Sequence, residues 1–422
     1  MSKKTKLTPE LRFPEFVDEG EWEEKILGKL AKIIVKKNKD GLINNVFTNS
    51  AIDGIVDQRD YFDKDIANKN NLENYYIVED GDYVYNPRIS NIAPVGPISK
   101  NKTKKRGVLS PLYTVFRFTN KNNDFYEYYF KTIHWYSAIR KASNTGARFD
   151  RMSITDSVFM NIPILYPLPS EQQKIASCLS SLDEMIAAQV QKLDLLKDHK
   201  KGLMQKLFPQ EGEKVPKYRF KEFEKDGEWN LKEFSNYIKL YRGSSPRPIQ
   251  NYLTQDKNGV NWIKIGDTKN AINSTIYKVE ERITLKGAQK SRKVKTGELI
   301  LANSMSFGKT YELAINGYIY DGWFVLREYE NHYYKPFLLQ LLNSDYMQRQ
   351  YQKLSAGGIV QNISSEIVYK TILFHTSFRE QQKIASCLSS LDALITAQTE
   401  KIEQLKLHKK GLMQGLFPKI ND

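Results

Sequence analysis

The residue types that perform catalysis do not assemble into a recognisable site in this sequence. Residues 308–310, Gly-Lys-Thr, resemble the end of a phosphate-binding loop, but the first glycine of that motif would fall at Asn303. The five histidines form no ligand pair at helical spacing. The two cysteines, Cys178 and Cys387, lack metal-site spacing and are expected to be half-buried helix residues. The sequence therefore predicts no catalytic site, metal site or bound cofactor in this chain.

Clusters of Arg, Lys, Asn and Ser follow segments that alternate like β-strands. Arg can bond guanine and Asn or Gln can bond adenine in the major groove, whereas Ser and Lys suit phosphates. A loop turn or a solvated charge explains any single residue equally well, but the clusters occupy matching places in the two halves and favour DNA binding as sets. The candidate DNA-binding residues are Arg88, Ser90, Asn91, Lys102, Lys104, Lys105, Arg106 and Arg148 in the first half, and Arg242, Ser244, Ser245, Arg247, Asn303, Ser304, Lys309, Gln361 and Asn362 in the second.

The positive charge of the chain lies in the same two segments. The formal net charge is +15, and residues 22–170 hold 22 basic and 16 acidic side chains, whereas residues 229–379 hold 21 and 12. Lys and Arg that neutralise phosphates release counterions and provide affinity independent of sequence. This distribution favours a polyanion as the common partner over ordinary solubilising charge.

The segments that must position these clusters occur twice. Residues 171–209 and 380–418 are identical at 29 of 39 positions at a constant offset of 209. A second repeat, at an offset of 207, contains Arg-Phe at 12–13 and 219–220 and Gly-Glu-Trp at 20–22 and 227–229. The chain is therefore two copies of one unit.

The longer repeat predicts a helix with a coiled-coil seam, because apolar residues recur in alternating steps of four and three. The seam residues are Leu179, Leu182, Ile186, Leu193 and Leu196 in the first helix, and Leu388, Leu391, Ile395, Ile402 and Leu405 in the second. Gln189, Lys200, Gln398 and Lys409 interrupt the seam and help to fix its register. Ser170 and Ser377 are predicted N-caps, and Pro209 and Pro418 are predicted to end the helices.

A chain that alternates domain and helix can pair its two helices antiparallel, with the N-terminal arm packing where the second helix ends. A weaker sequence similarity also links the two halves. A glycine followed by an acidic residue begins a predicted strand at residues 81–85 and again at residues 297–301, which predicts one shared domain fold with different loops. The expected fold class is α+β: two similar mixed α/β domains, an antiparallel coiled coil and a pseudo-two-fold repeat. The predicted segments are arm 1–21, domain 22–167, helix 168–209, linker 210–228, domain 229–376, and helix with C-terminus 377–422.

These features resemble the DNA-specificity subunit of type I restriction-modification systems. The resemblance rests on the paired helices that begin with Glu-Gln-Gln-Lys-Ile-Ala and on the Arg-Phe and Gly-Glu-Trp motifs at the start of each half. It also rests on the strands that follow a Gly-acid turn and on the Asn- and Ser-rich loops after them. It covers nearly the whole chain. It implies two target-recognition domains, each reading half of a split sequence across a helical spacer. It also implies two methylation subunits, which would form an adenine-N6 methyltransferase, and two motor-nuclease subunits where restriction also occurs.

The resemblance places S-adenosylmethionine, ATP and Mg²⁺ on those partner subunits. With no run of about 18 apolar residues and no secretory signal, a soluble cytoplasmic protein is expected. Two alternatives remain at this point: a DNA-modifying enzyme with an unrecognised site, and a coiled-coil scaffold that binds RNA or protein through its basic domains.

Overall fold

Each half of the chain builds a unit, and each unit includes part of both long repeats. The computed structural model describes residues 7–61, 69–143, 150–304, 308–355 and 363–419. Unit 1 consists of Met1–Ala187 and Gln404–Asp422, and unit 2 consists of Ala188–Glu403.

The first half contains ten strands and six helices among its described residues. The strands are β1 Glu23–Ile26, β2 Ala31–Ile33, β3 Phe47–Ser50, β4 Gly54–Asp57, β5 Tyr76–Val78, β6 Tyr83–Tyr85, β7 Ile98–Lys100, β8 Gly107–Leu109, β9 Thr114–Phe118 and β10 Pro163–Tyr166. The helices are α1 Leu27–Leu30, α2 Gln58–Tyr61, α3 Asp124–Tyr129, α4 Tyr136–Ala142, α5 Asp156–Met160 and α6 Pro169–Leu207, with short 3-10 turns at Pro14–Phe16 and Lys69–Asn74.

The second half repeats this plan with added strands. Its strands are β11 Asn230–Glu233, β12 Lys239–Arg242, β13 Val260–Ile263, β14 Thr275–Ile276, β15 Glu281–Ile283, β16 Arg292–Val294, β17 Leu299–Ala302, β18 Thr310–Leu313, β19 Gly317–Ile319, β20 Trp323–Arg327 and β21 Ile372–His375. Its helices are α7 Leu285–Ala288, α8 Lys335–Leu342, α9 Asp345–Ser355, α10 Ser365–Tyr369 and α11 Phe378–Gly415, with 3-10 turns at Lys221–Phe223, Phe234–Asn236, Ile249–Asn251 and Ile265–Asn270.

The two units share the order of their central sheets. Unit 1 has the order β2-β9-β6-β7, and unit 2 has the order β12-β20-β17-β18-β14. The differences lie at the periphery: unit 1 pairs β3 with β4 and β5 with β8, whereas unit 2 adds the sheet β15-β13-β19-β16. The predicted α+β fold, shared by two domains with different loops, is confirmed.

A glycine turn opens the equivalent central strand of each unit. Gly81 has a φ of +85° and Gly297 a φ of +86°, a backbone conformation that side chains with a Cβ rarely adopt. The acid after each glycine bonds an arginine on the neighbouring strand. These pairs are Asp82 with Arg117, 2.5 Å apart, and Glu298 with Arg327, 2.7 Å apart. The turn and the ion pair together fix where the loop after each strand begins.

The N-terminal arm packs against the end of the second long helix, as the sequence predicted. The amide of Leu11 donates to the carbonyl of Gly415 at 2.8 Å, and Pro9 forms a β-bridge with Pro418. Unit 2 contains the equivalent contact. Tyr218 and Lys206 correspond to Leu11 and Gly415 in the repeat, and the amide of Tyr218 donates to the carbonyl of Lys206 at 2.9 Å.

A buried ion pair fastens each arm to the start of a long helix. The guanidinium of Arg12 donates both Nε and Nη2 to the carboxylate of Glu171 at 2.8 Å. Arg219 binds Glu380 in the same way, at 2.8 and 2.9 Å. Glu171 and Glu380 are each 1% exposed and their arginine partners are 7% and 6% exposed, so both members of each pair are enclosed.

The ends of the long helices differ slightly from the prediction. Helix α11 begins after Ser377, whose Oγ accepts from the amide of Glu380 at 3.4 Å, as expected of an N-cap. Helix α6 instead begins at Pro169, so Ser170 lies inside its first turn and the predicted N-cap was wrong. Proline is favoured at the first helical position because its missing N–H has no partner there.

The long helices pair antiparallel within each unit. In unit 2, Lys200 of α6 bonds Asp392 of α11 at 2.7 Å, and the Nε2 of Gln398 donates to Gln189 at 2.9 Å. In unit 1, Lys409 of α11 bonds Asp183 of α6, which is the repeat equivalent of the first pair. The predicted seam residues are all buried or half-buried.

The ends of these helices enter the domain cores. Ile175, Leu179, Leu416 and Phe417 belong to the aromatic core of unit 1. Leu207, Phe208, Ile384 and Leu388 belong to the main core of unit 2. The core of each unit therefore includes its share of the helix pair.

Candidate nucleic-acid interface

In unit 1 the polar loop after β6 pairs with the segment that precedes α5. Arg88 and Arg151 face each other across an antiparallel β-bridge, and the amide of Ile89 donates to the carbonyl of Asp150 at 3.0 Å. The sequence treated these segments as separate clusters. The structure places Asp150 and Arg151, which follow the second cluster, beside the Arg88 loop; sequence reasoning missed Arg151.

The side chains of this loop are exposed while its backbone is held in place. Arg88, Ser90 and Asn91 are all exposed. The Oδ1 of Asn86 accepts from the amide of Arg88 at 3.0 Å, and the Oγ of Ser90 accepts from the amide of Ala93 at 3.1 Å. A fixed backbone with free side chains suits base contact, because contact then orders few additional atoms.

The basic loop between β7 and β8 is partly neutralised. Lys102 pairs with Glu127 at 3.1 Å, and Arg106 pairs with Glu79 at 3.0 Å. Lys104 and Lys105 are exposed and form no ion pair with any other described residue. Lys104 and Lys105 are therefore the members of this cluster best suited to a phosphate in the state described.

A cleft of about 490 Å³ joins the two clusters of unit 1. Its walls include Ile92, which directly follows the Arg88 loop, and Lys102 of the basic loop. The turn between β3 and β4 forms another wall through Ile52, whose side chain is 73% exposed. Among the predicted residues of the first domain, Lys102 lines this cleft, and the Arg88 loop borders it through Ile92.

In unit 2 the arginine loop after β12 converges on Asp321, in the turn between β19 and β20. Ser245 donates to Oδ1 of Asp321 at 2.5 Å, and Arg247 donates to Oδ2 at 3.4 Å. The Nε of Arg242 donates to the backbone carbonyl of Asp321 at 3.3 Å. One residue therefore contacts three of the predicted side chains.

Asn303 joins this group from inside the protein. Its side chain is 5% exposed, and its Nδ2 donates to the carbonyl of Asp321 at 2.9 Å. Its own carbonyl accepts from the amide of Ile363 at 2.8 Å, which ties the loop after β17 to the segment before α10. A base contact by Asn303 would require its bond to Asp321 to break.

The remaining candidates of unit 2 are placed more simply. The Oγ of Ser244 donates to the carbonyl of Lys290 at 3.0 Å, Ser304 is half-buried and Lys309 is exposed. Arg148, Gln361 and Asn362 lie outside the described residues.

Carboxylates stand beside arginines at both surfaces. The hydrogen bond from Ser245, with Arg247 and Arg242 nearby, holds the pKa of Asp321 below its ordinary value. In unit 1, Arg151 similarly lowers the pKa of Asp150, and Arg88 adds to the effect. Both acids are therefore ionised at neutral pH. Neither was predicted, because a search for groups that bind phosphate passes over acidic residues.

Among the described residues, no group of three or more His, Cys, Asp or Glu side chains is arranged to hold a metal ion. No helix in the same part of the chain is both long and apolar enough to cross a lipid bilayer.

Two similar α/β units, each with arginine and polar loops on one surface and joined to paired helices, define a modular DNA-recognition protein. The family model for the type I restriction modification DNA specificity domain matches residues 19–198 and again residues 227–407. The chain belongs to this family, as the sequence resemblance predicted. The family is the non-catalytic DNA-recognition component of the restriction-modification complex.

Relatives match along most of the chain. The type I restriction enzyme MjaVIII specificity subunit of Methanocaldococcus jannaschii is 25% identical over 427 residues, which cover 96% of this chain and 93% of the relative. The putative type I restriction enzyme MjaX specificity subunit of the same organism is 24% identical over 273 residues, which cover 64% and 61%.

Solved structures share the fold. A chain from a study of complex assembly and conformational transition of the type I restriction-modification system matches with a TM-score of 0.59 and 16% identity, covering 94% of this chain and 97% of that one. The type I restriction-modification S subunit from M. genitalium matches with a TM-score of 0.54 and 14% identity, covering 98% and 100%.

Proposed function

We propose that this chain is the DNA-specificity subunit of a type I restriction-modification complex, in which each domain reads one half of a bipartite target. The observation that carries the proposal is the double match to the specificity-domain family, over two units with the same sheet order. The positive charge of residues 22–170 and 229–379 supports DNA as the partner. A scaffold for RNA or protein has no such support.

The recognition domains in this proposal are residues 22–167 and 229–376. The arginine loops would read base edges, and the exposed lysines would bind phosphates. Helices α6 and α11 would fix the length of the unread gap between the two half-sites. They contain 39 and 38 residues, and each residue of a helix adds about 1.5 Å, so both helices are long enough to span several base pairs.

The partners in this proposal are two methylation subunits and, where restriction occurs, two motor-nuclease subunits. Repeat-equivalent residues line two clefts, of about 360 Å³ in unit 2 and about 970 Å³ in unit 1. Lys201 and Met204 line the first, and their equivalents Lys410 and Met413 line the second. Equivalent surfaces on each unit suit two copies of one partner. S-adenosylmethionine, ATP and Mg²⁺ would be held by those partners.

The test is to purify the chain with the proteins that co-elute and to map methylated adenines in the DNA of its host. A bipartite motif with one constant gap is expected. Exchange of residues 22–167 for another recognition domain should then change one half-site only, and exchange of residues 229–376 should change only the other. A motif with no gap, or a change in both half-sites after one exchange, would contradict the proposal.

A further inference from the structure

Asp321 occupies an unexpected place for an acidic residue. It lies beside the arginine loop of unit 2. Its carboxylate contacts Ser245 and Arg247, and its backbone carbonyl contacts Arg242 and Asn303; the sequence predicts all four residues to bind DNA. A carboxylate beside DNA repels phosphates and lowers affinity for every sequence alike. Asp321 is therefore unfavourable for binding as such, and its presence there requires another role.

The geometry indicates what that role is. The two oxygens of the carboxylate are occupied by different partners, Oδ1 by Ser245 and Oδ2 by Arg247. The hydrogen bond from Ser245 orients the carboxylate, which also accepts from Arg247, whose side chain is 81% exposed. The backbone carbonyl of the same residue restricts Arg242. An arginine that is held before binding loses less conformational freedom when it reaches a base.

Unit 1 contains a second instance at a different position in the fold. Arg88 and Arg151 are directly opposite each other across a β-bridge, a placement that is unfavourable for like charges. Asp150 stands beside them, and Nη2 of Arg151 donates to its Oδ2 at 3.5 Å. The Nε of Arg151 is buried and has no hydrogen-bond partner among the described residues. One carboxylate again accompanies two arginines.

We infer that the carboxylate of Asp321 is a positioning group that holds Arg247 in the conformation that reads the second half-site, and that Asp150 does the same for Arg151 at the first. The inference rests on the proposed function, since it requires each unit to read its own half-site. It assigns selectivity to two acids that reduce affinity, and it makes Arg151 a further specificity-determining residue.

The experiment uses the full chain with its co-purified partners and compares wild type with Asp321→Asn, Asp321→Glu and Asp150→Asn. The target is first defined by selection from randomised duplexes with the wild-type complex. Dissociation constants are then measured for the selected duplex, for duplexes altered at single base pairs of either half-site, and for a random duplex. Glu280→Gln is the matched control, because it removes one negative charge from an ion pair with Lys269 elsewhere in unit 2.

The expected result for Asp321→Asn is that affinity and selectivity change in opposite directions. Binding to the random duplex should stay the same or increase, because a negative charge is lost. Discrimination at one or two base pairs of the second half-site should fall by about fivefold or more, the lower end of what a bidentate arginine contact provides. The first half-site should be unaffected. Asp150→Asn should reduce discrimination at the first half-site and leave the second unaffected.

Asp321→Glu separates charge from geometry, since it keeps the charge on an arm one methylene longer. Binding to the random duplex should return to the wild-type value, while discrimination should recover only in part. Arg247→Lys should lose discrimination at the same base pairs as Asp321→Asn, and the double variant should be no worse than either single one. Thermal unfolding of each variant identifies any that fail to fold, and the Asp150 variant tests the inference independently.

The inference is overturned if Asp321→Asn, like Glu280→Gln, strengthens binding to all duplexes equally and leaves discrimination unchanged. It is also overturned if Asp321→Glu matches wild type in every measurement, because Asp321 would then act through charge alone. If the wild-type complex selects no bipartite sequence, the proposed function itself fails. A bipartite wild-type motif with unchanged discrimination in the variants removes the inference only.

Discussion

Two carboxylates, Glu171 and Glu380, are almost completely buried, and each is neutralised by one arginine. Removing one member of a buried ion pair leaves the other charge without compensation. We expect Arg219→Ala to lower the free energy of unfolding by about 3–5 kcal/mol, measured by urea denaturation. Arg12→Ala should cost a similar amount, since its pair has the same geometry.

Lys174→Ala is the control for this prediction. Lys174 pairs with Glu15 at 2.9 Å, but these side chains are 52% and 45% exposed. Exposed ion pairs contribute about 1 kcal/mol or less. An equally small effect from Arg219→Ala would contradict a stabilising role for the buried pair of Arg219 and Glu380.

Arg88 and Lys104 are both exposed side chains of unit 1, and we expect their substitution to affect DNA binding in different ways. Arg88→Ala should reduce discrimination at one base pair by about 1–3 kcal/mol if its guanidinium reads guanine. Lys104→Ala should weaken binding to all duplexes and lower the slope of log K against log salt by about one. Competition binding at several salt concentrations distinguishes the two, and a uniform loss from Arg88→Ala would reassign it to a phosphate.

At the scale of residues, the sequence identified the basic groups but not their neighbours. Arg88 was proposed because a strand echo located the loop that carries it, and Arg242 because it belongs to a polar cluster upstream of the equivalent strand. Asp321 and Arg151 could not be predicted, since they come from other segments and only the folded chain places them beside the loops. Asn303 was predicted because it follows the equivalent strand of the second half, and the turn that buries it was not visible in the sequence.

Among the elements, the long helices were the most predictable because a repeat of apolar residues every three or four positions specifies them. The seam residues followed directly from that period. The partners of the seam lysines could not be predicted in this way. Asp183 and Asp392 lie outside the apolar pattern, so only their contacts with Lys409 and Lys200 in the structure identify them. The start of α6 was misplaced because Ser170 resembles a cap, while Pro169 already begins the helix.

The reciprocal Lys–Asp pairs should fix the register of the helices. Lys409→Asp places a second carboxylate beside Asp183, and we expect a loss of about 1–2 kcal/mol in the free energy of unfolding. The double variant Lys409→Asp with Asp183→Lys restores opposite charges and should recover most of it. Urea denaturation measures both, and no recovery in the double variant would show that this pair does not set the register.

The same pair should make stability depend on pH. Burial acts to raise the pKa of Asp183, but the hydrogen bond and charge of Lys409 lower it below its ordinary value overall. A carboxylate with a lowered pKa stabilises the fold above its unfolded pKa and stops doing so as the pH falls through its folded pKa. The difference in stability between wild type and Lys409→Met should therefore shrink on acidification, and a constant difference would contradict the role of the ionised pair.

For the whole molecule, the proposed spacer can be tested by changing its length. Inserting one heptad into both α6 and α11 keeps the seam in phase, because seven residues make one repeat of the coiled coil. We expect selection from randomised duplexes to return the same two half-sites with a different gap. An unchanged gap would mean that something other than the helices sets the distance.

The duplication also made the whole molecule more predictable than its separate domains. Each half confirmed the other, so faint echoes at residues 81 and 297 were enough to predict a common fold. The strands that differ, such as β13–β16, had no counterpart to confirm them and could not be anticipated. Selection for different targets would act on such unmatched parts, whereas the shared sheet must keep its packing.

The composition of unit 1 has a consequence for how the protein is made. Its aromatic core includes Phe417, whose ring lies 5.5 Å from Phe125, although Leu416 and Phe417 are synthesised long after the parts of that core that precede residue 187. At ordinary rates of translation, a ribosome needs roughly 10–50 s to travel from residue 187 to residue 417. During that interval the nascent first domain retains an unfilled hydrophobic cavity, which chaperones can recognise. Unit 2 is one uninterrupted stretch, so the domain that is translated second is expected to finish folding first.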